Sequence, residues 1–454
     1  MHVFKRKDGE EQPYWPLGPF KVRLPFVHYR WEMVEFIQAL ILFVVSLAMI
    51  PLLEKYLGLP YDVALAYVFV CGIGFMLPAL LGVSFVPGWI TPAIPVVLLH
   101  LGKFEPGPQA IKALVALQLE VFLIFFVLGI TGWGGRIVRM IPHSLKAGIL
   151  IGAGVAALIG EFKASGRVTS TPISLTIGGM ICIYMMFSVS FKSLAEKNKL
   201  ASLVRKFGMV PAMVIAMAVG WITKEFPVPD IQFGFTHPAF SEMLNYLPIT
   251  LGMPNLNMFL AAVPTAIIAY IIAFGDIVVG GALIGRANNL RPDEEIDYNP
   301  DRLHLVTALR NLLHAFFAPY PGLAGPIWTA VTATVAERYT TGRKSMDSIF
   351  SGAGTFWIAG FLALFILPLV TIFKPVLAIG LSLTLILTGY LCIQVGIEQT
   401  ENSTQRGVAG IVAMILATYG AAWGLGAGLV LYFLVEKKNI MARESEAKVS
   451  PQET

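Results

Sequence analysis

Charge is scarce in this chain: only 13% of its 454 residues are Asp, Glu, Lys or Arg, and there are only three cysteines. The first shortage excludes an ordinary soluble domain, in which about a quarter of the residues are charged. The second excludes a disulfide framework or a cysteine-rich metal site, because Cys71, Cys182 and Cys392 lie far apart, each inside an apolar run. A signal peptide is not expected, since about thirty polar and aromatic residues precede the first apolar run. No His or acidic pair has the spacing of a zinc hydrolase, and Gly-Ile-Gly at 72–74 lacks the strand and helix context of a dinucleotide fingerprint. Enzymatic chemistry, a bound metal and a cofactor are therefore not expected. The net charge of +5 follows the placement of loops and forms no nucleic-acid patch.

What is present is apolar: 56% of residues are hydrophobic and the mean hydropathy is +0.71. These values imply an all-α polytopic membrane protein. Runs able to cross a bilayer begin near Val34, Tyr61, Gln109, Pro142, Pro172, Phe207, Asn257, Leu303, Ser348, Phe373, Gln405 and Ala422.

Two further apolar runs cannot be ordinary helices. From Gly82 to Leu99, Pro87, Gly88, Pro92 and Pro95 delay helix formation until about Thr91, because proline has no amide donor and restrains the residue before it. From Ala318 to Glu337, Pro319, Pro321, Gly322, Gly325 and Pro326 act alike. Each predicts a short extended strand followed by a half-helix. Backbone left unpaired at bilayer depth is tolerated only where it is buried in protein or lines a cavity, so such segments mark binding sites in transporters.

With these two the count is about fourteen transmembrane segments. Pro92 to Pro142 and Pro326 to Pro375 are nearly equal intervals of about fifty residues, the layout of two inverted seven-helix repeats. The expected division is 1–33 as an N-terminal segment, 34–224 as the first repeat, 225–256 as a loop, 257–435 as the second repeat and 436–454 as a tail. Lys and Arg accumulate on the cytoplasmic side. Lys5, Arg6, Lys7, Lys21, Arg23 and Arg30, then Lys192 to Lys206, Arg136, Arg139, Arg343, Lys344, Lys437 and Lys438, place both termini in the cytoplasm and 225–256 outside, with the acidic 293–301 loop as an exception.

Four stretches carry a family resemblance: Phe85 with Trp89-Ile90-Thr91-Pro92, Ile-Pro-His-Ser-Leu-Lys-Ala-Gly-Ile-Leu-Ile-Gly at 141–152, Ala273-Phe274-Gly275-Asp276-Ile277-Val278, and Ala315-Phe316-Phe317-Ala318-Pro319-Tyr320-Pro321. They resemble the fourteen-helix fold shared by uracil and xanthine permeases, sulfate permeases and bicarbonate-type anion exchangers. The resemblance spans about Val34 to Val435. It implies a homodimer in the cell inner membrane, a mobile core moving against a scaffold of helices five to seven and twelve to fourteen, Trp89 beside the substrate, and Asp276 at the acidic substrate or coupling position. Two departures are visible. Nucleobase permeases carry a second acid early in the tenth helix, where this chain has Pro326, Ile327 and Trp328, and uracil permeases carry a histidine where it has Gly280.

Two helix N-termini facing each other favour an anion between them. The expected substrate site is Trp89, Ile90, Thr91 and Ala93 on one side and Gly325, Ile327, Trp328 and Thr329 on the other, completed by Asp276. Such a site suits a small carboxylate or oxyanion, and equally a planar heterocycle stacked on tryptophan. Asp276, costly in an apolar span unless it meets a cavity, is the candidate for H+ or Na+ coupling; the bland alternative is a carboxylate capping backbone near water. Glu120 is a second coupling candidate and could instead form a structural ion pair with Lys146. Gln38, Lys112, Arg310 and His314 are expected to reach interfaces by snorkelling or to cover helix ends. The expected function is a secondary active transporter of a small organic or inorganic anion working by alternating access, with a nucleobase symporter and an anion channel as alternatives.

Overall fold

The computed structural model describes residues 6–134, 136, 140–164, 166–205, 207 and 209–437. Lys5, Arg139, Lys206, Lys438 and the tail beyond lie outside the described residues. The described chain is mostly helical. In order, its principal helices are α1 (Met33–Leu57, interrupted at 43 and 48–49), α2 (Tyr61–Leu80), α3 (Thr91–Leu101), α4 (Pro108–Thr131), α5 (His143–Phe162), α6 (Pro172–Phe187), α7 (Val210–Ile222) and α8 (Leu256–Leu290). They continue with α9 (Pro300–Phe317), α10 (Thr329–Thr340), α11 (Ile349–Ala363), α12 (Leu377–Glu398), α13 (Ser403–Tyr419) and α14 (Ala421–Glu436). Short strands punctuate them: β1 (Glu10–Glu11), β2 (Trp15–Leu17), β3 (Phe20–Val22), β4 (Gly88–Trp89), β5 (Glu294–Glu295) and β6 (Ala324–Gly325).

Local chemistry sets several boundaries. The Asn255, Asn299 and Asn402 side chains accept the first free amides of α8, α9 and α13, and Ser348 closes a capping box with Ser351 at α11. Among the described residues six helical stretches are long and apolar enough to cross a membrane, and a bent pair, Pro172–Phe187 with Val189–Lys197, would make a seventh. α9 is a polar exception: Arg302, His304, Arg310, Asn311 and His314 are all buried in protein and do not face lipid.

Packing sorts the helices into two groups. α4 lies against α8 and α9, α2 against α9 and α11, α1 against α11, and α10 against α8 and α11. Separately, α5 lies against α12 and α13, α13 against α14, and α6 against α7 and α12. Close approach in the second group uses small residues; a Cβ on Gly154 would sit 2.7 Å from the Gly389 carbonyl oxygen. The half-helix α3 touches both groups.

The acidic 293–301 loop finds its counter-charges in the N-terminal segment. β1 pairs with β5 in parallel, Glu10 opposite Glu294. Arg6 bridges Asp293 at 2.9 Å and Glu294 at 3.4 Å, Lys21 bridges Glu11 and Asp297 at 2.5 Å each, and Arg302 meets Asp297 at 2.8 Å. The loop is thus an exception in charge count that the folded chain neutralises locally. The Arg291 guanidinium hydrogen-bonded to Asp293 holds this carboxyl at about 2, aided by Arg6 and opposed by burial. A carboxyl depressed from its ordinary 3.8 stabilises the fold fully above about pH 4, and that contribution is lost as pH falls through about 2. Asp293→Asn is expected to cost about 1 to 2 kcal/mol at pH 7 and to remove this acid-side dependence, read from melting of detergent-purified protein between pH 7 and 3.

Candidate functional site

The two broken segments cross and pair. β4 runs antiparallel to β6 with Gly88 opposite Gly325 and Trp89 opposite Ala324. Glycine is required where the backbones touch: a Cβ on Gly325 would lie 2.6 Å from the Trp89 carbonyl carbon. From this crossing α3 and α10 begin, one from each broken segment.

The remaining backbone groups of the crossing are met by buried side chains. Arg310 donates to the carbonyls of Gly325 (2.5 Å) and Gly88 (3.0 Å), tying the two strands with one guanidinium, which also lies 5.0 Å from the centre of the Phe75 ring. Asn311 donates to the Ala324 carbonyl at 2.9 Å and accepts its N–H at 3.0 Å. Thr332 of α10 accepts the Val86 N–H and donates to the Val86 carbonyl, which also accepts the Trp328 N–H. The Trp357 indole donates to the Pro87 carbonyl at 2.9 Å, and Gln118 makes reciprocal bonds with the Tyr320 backbone. No carboxylate lies within ion-pair distance of Arg310 among the described residues, so its charge adds to the electropositive crossing.

The two half-helices are not equivalent as donors. In α3, Pro92 and Pro95 carry no N–H, and the amides of Ala93 and Ile94 are taken by the carbonyls of Ile90 and Thr91. α10 begins at Thr329 with no proline in its first turn, leaving that turn's amides without intrahelical acceptors. Its positive end is answered by Asp276, whose Oδ1 accepts from the Thr329 hydroxyl at 3.4 Å.

A cavity of about 420 Å³ lies between the two helix groups. Of the residues expected in the substrate site, Trp89, Thr91, Asp276, Ile327, Trp328 and Thr329 line it. Ile90, Ala93 and Gly325 do not; they are buried behind it, Ile90 donating to the Leu323 carbonyl at 3.1 Å. Sequence reasoning missed Lys146 of α5, Phe207, Met209, and Thr384, Thr388 and Gln399 from α12 and its C-cap, all lining residues. Gln38 also lines the cavity and does not reach an interface.

Three expectations need correction. Arg310 and His314 do not snorkel: both are fully buried, because α9 is enclosed by α2 and α4 and the crossing supplies carbonyls for the arginine. Glu120 and Lys146 form no ion pair among the described residues, since α4 packs on α8 and α9 whereas α5 packs on α12 and α13. Nor does Glu120 line the cavity, so the structure does not bring it to Asp276. Gly280 has a steric reason: a side chain there would meet Phe85 and Ile327 at 2.7 Å, leaving no room for a histidine.

The xanthine and uracil permease model, described as "Permease family", matches residues 27–299, more than half of the chain. The chain belongs to this permease family. No curated protein sequence matches it. Among solved structures, the transmembrane domain of the cyanobacterium bicarbonate transporter BicA is similar at 16% identity and a TM-score of 0.52, over 88% of this chain and 99% of that one. SLC26A9 is similar at 14% identity and a TM-score of 0.56, over 89% of this chain; the permease chain spans 65% of SLC26A9. At these identities the likeness is one of fold. Membership of the permease family makes this a multi-pass membrane transporter with a small-molecule substrate.

Gly325→Ala forces a methyl group onto the Trp89 backbone, and Arg310→Leu leaves two buried carbonyls unpaired. Each variant is expected to lose about 2 to 5 kcal/mol, seen as an early-melting or aggregated peak in thermal size-exclusion profiles, whereas Gly407→Ala, where a Cβ meets open space, melts as wild type.

Proposed function

We propose that the permease is a secondary active carrier that moves a small anion by alternating access, coupled to H+ or Na+ at Asp276. The observation that carries this reading is the cavity between the two helix groups, where a single carboxylate sits at the N-terminus of α10 beside Trp89, Thr91, Trp328 and Thr329. A carboxylate at such a place is favoured by the helix end when ionised and relieved of its desolvation when protonated or paired with a cation, so its loading state can follow substrate binding. In this reading α1–α4 with α8–α11 form the mobile core, and α5–α7 with α12–α14 form the scaffold. The chain then crosses the membrane about fourteen times in two inverted repeats, with both termini in the cytoplasm and 225–256 outside, and functions as a homodimer.

BicA, a bicarbonate transporter of similar fold, supports an anion. A nucleobase is favoured by one observation, the two indoles of Trp89 and Trp328 on the cavity wall, which could stack on a heterocycle. It is disfavoured by Ile327 and Trp328 standing where nucleobase permeases carry their second acid. An anion channel would use the same walls but conduct without coupling.

Asp276→Asn is expected to abolish concentrative uptake into proteoliposomes under imposed proton and sodium gradients while leaving substrate exchange within about threefold of wild type. Unchanged pH and sodium dependence in that variant would remove Asp276 from coupling. Steady current without gradient coupling in the wild type would replace the carrier with a channel.

A further inference from the structure

The anion-attracting helix end in this cavity is already occupied by the protein's own carboxylate, because Thr329 at the start of α10 is hydrogen-bonded to Asp276. A second anion placed there would face Asp276 across a medium that screens poorly. Arg310, the buried cation of the crossing, does not line the cavity and donates from both terminal nitrogens to the Gly325 and Gly88 carbonyls. Among the described residues one positive charge on the wall remains, that of Lys146. Lys146 lies in the first turn of α5, close to the end of α12, where the His143 ring meets the Gln399 carbonyl at 3.3 Å. It is half-buried, and no ion pair or hydrogen bond engages it among the described residues. It also belongs to the α5–α12 group, whereas Asp276 belongs to the α8–α10 group.

The rest of the wall is largely apolar, with Phe207, Met209, Leu391 and Trp328 among its surfaces, and its volume of about 420 Å³ far exceeds what one oxyanion fills. A dianion would bring one charge more than the wall can pair, and an unpaired buried charge is costly. A small inorganic oxyanion would leave the apolar surfaces facing water.

We propose that Lys146 is the residue that selects the substrate by charge, and that the substrate is an organic monocarboxylate with an apolar body: its carboxylate pairs with Lys146 and its body covers the apolar wall. This rests on the anion-carrier reading and specifies its substrate class. It also gives the bound substrate a mechanical role, since the ion pair is made to one helix group while the cation or proton is taken up on the other.

The test uses the matched probes benzoate and benzamide, with bicarbonate and uracil beside them, on full-length protein in detergent. Binding is read from indole fluorescence, because Trp89 and Trp328 line the cavity, and from thermal shift. Wild type is expected to bind benzoate over benzamide. Lys146→Gln should weaken benzoate by about thirtyfold or more and abolish its preference over benzamide, whereas Lys146→Arg keeps it. Elution and melting profiles of both variants without ligand verify folding. Wild-type preference for benzoate retained in Lys146→Gln overturns the role of Lys146. Binding of bicarbonate without benzoate in the wild type overturns the substrate class but leaves the anion carrier standing. Preference for uracil or benzamide over every anion overturns the anion-carrier reading itself.

Discussion

The whole site depends on one constraint: backbone polar groups buried in the protein must be paired, and the chain crosses itself where two segments cannot pair within a helix. β4 and β6 are too short to satisfy one another, with only Gly88–Gly325 and Trp89–Ala324 in register. Arg310, Asn311, Thr332, Trp357 and Gln118 supply what is missing, the first two from one turn of α9 and the others from α10, α11 and α4. This fixes the positions of α4, α9, α10 and α11 around the crossing. Removing any one donor leaves carbonyls that lipid or an apolar core cannot satisfy.

The same constraint explains the polarity of the cavity. Prolines that open α3 remove amide donors from that side, so α10 dominates the local dipole and Asp276 answers it. A buried arginine behind the strands keeps the crossing electropositive without exposing a cation to substrate. Among the described residues the cavity wall therefore carries one carboxylate and one ammonium, and they stand on helices that pack in different groups. What binds across the cavity touches both helix groups.

Much of this arrangement was legible in the chain. The run Pro87, Gly88, Pro92, Pro95 forces an interrupted segment whatever its surroundings, and Asp276 in an apolar helix requires a polar neighbour. Trp89, Thr91, Ile327, Trp328 and Thr329 follow from those two facts. Ile90, Ala93 and Gly325 lie behind the cavity because neighbours along a strand or a tight turn point to opposite sides, and register depends on the partner strand. The burial of Arg310 is not legible in the chain, since its carbonyl partners lie on both broken segments. Nor is the separation of Glu120 from Lys146, because helical periodicity does not say which helices are neighbours, and theirs are not. Lys146, Thr384, Thr388 and Gln399 entered the site for the same reason, through packing of α5 on α12.

The central claim is that the two helix groups move as bodies on either side of the cavity, and spin-label distances in lipid nanodiscs test it most directly. Labels at the exposed positions Leu123 of α4 and Met414 of α13 report across the groups; Leu123 with Leu260 of α8, and Met414 with Ile159 of α5, report within each. The account predicts that varying pH and sodium shifts the Leu123–Met414 distance between at least two populations while both within-group distances stay fixed. A single across-group distance under every condition, or equal shifts within a group, would contradict it.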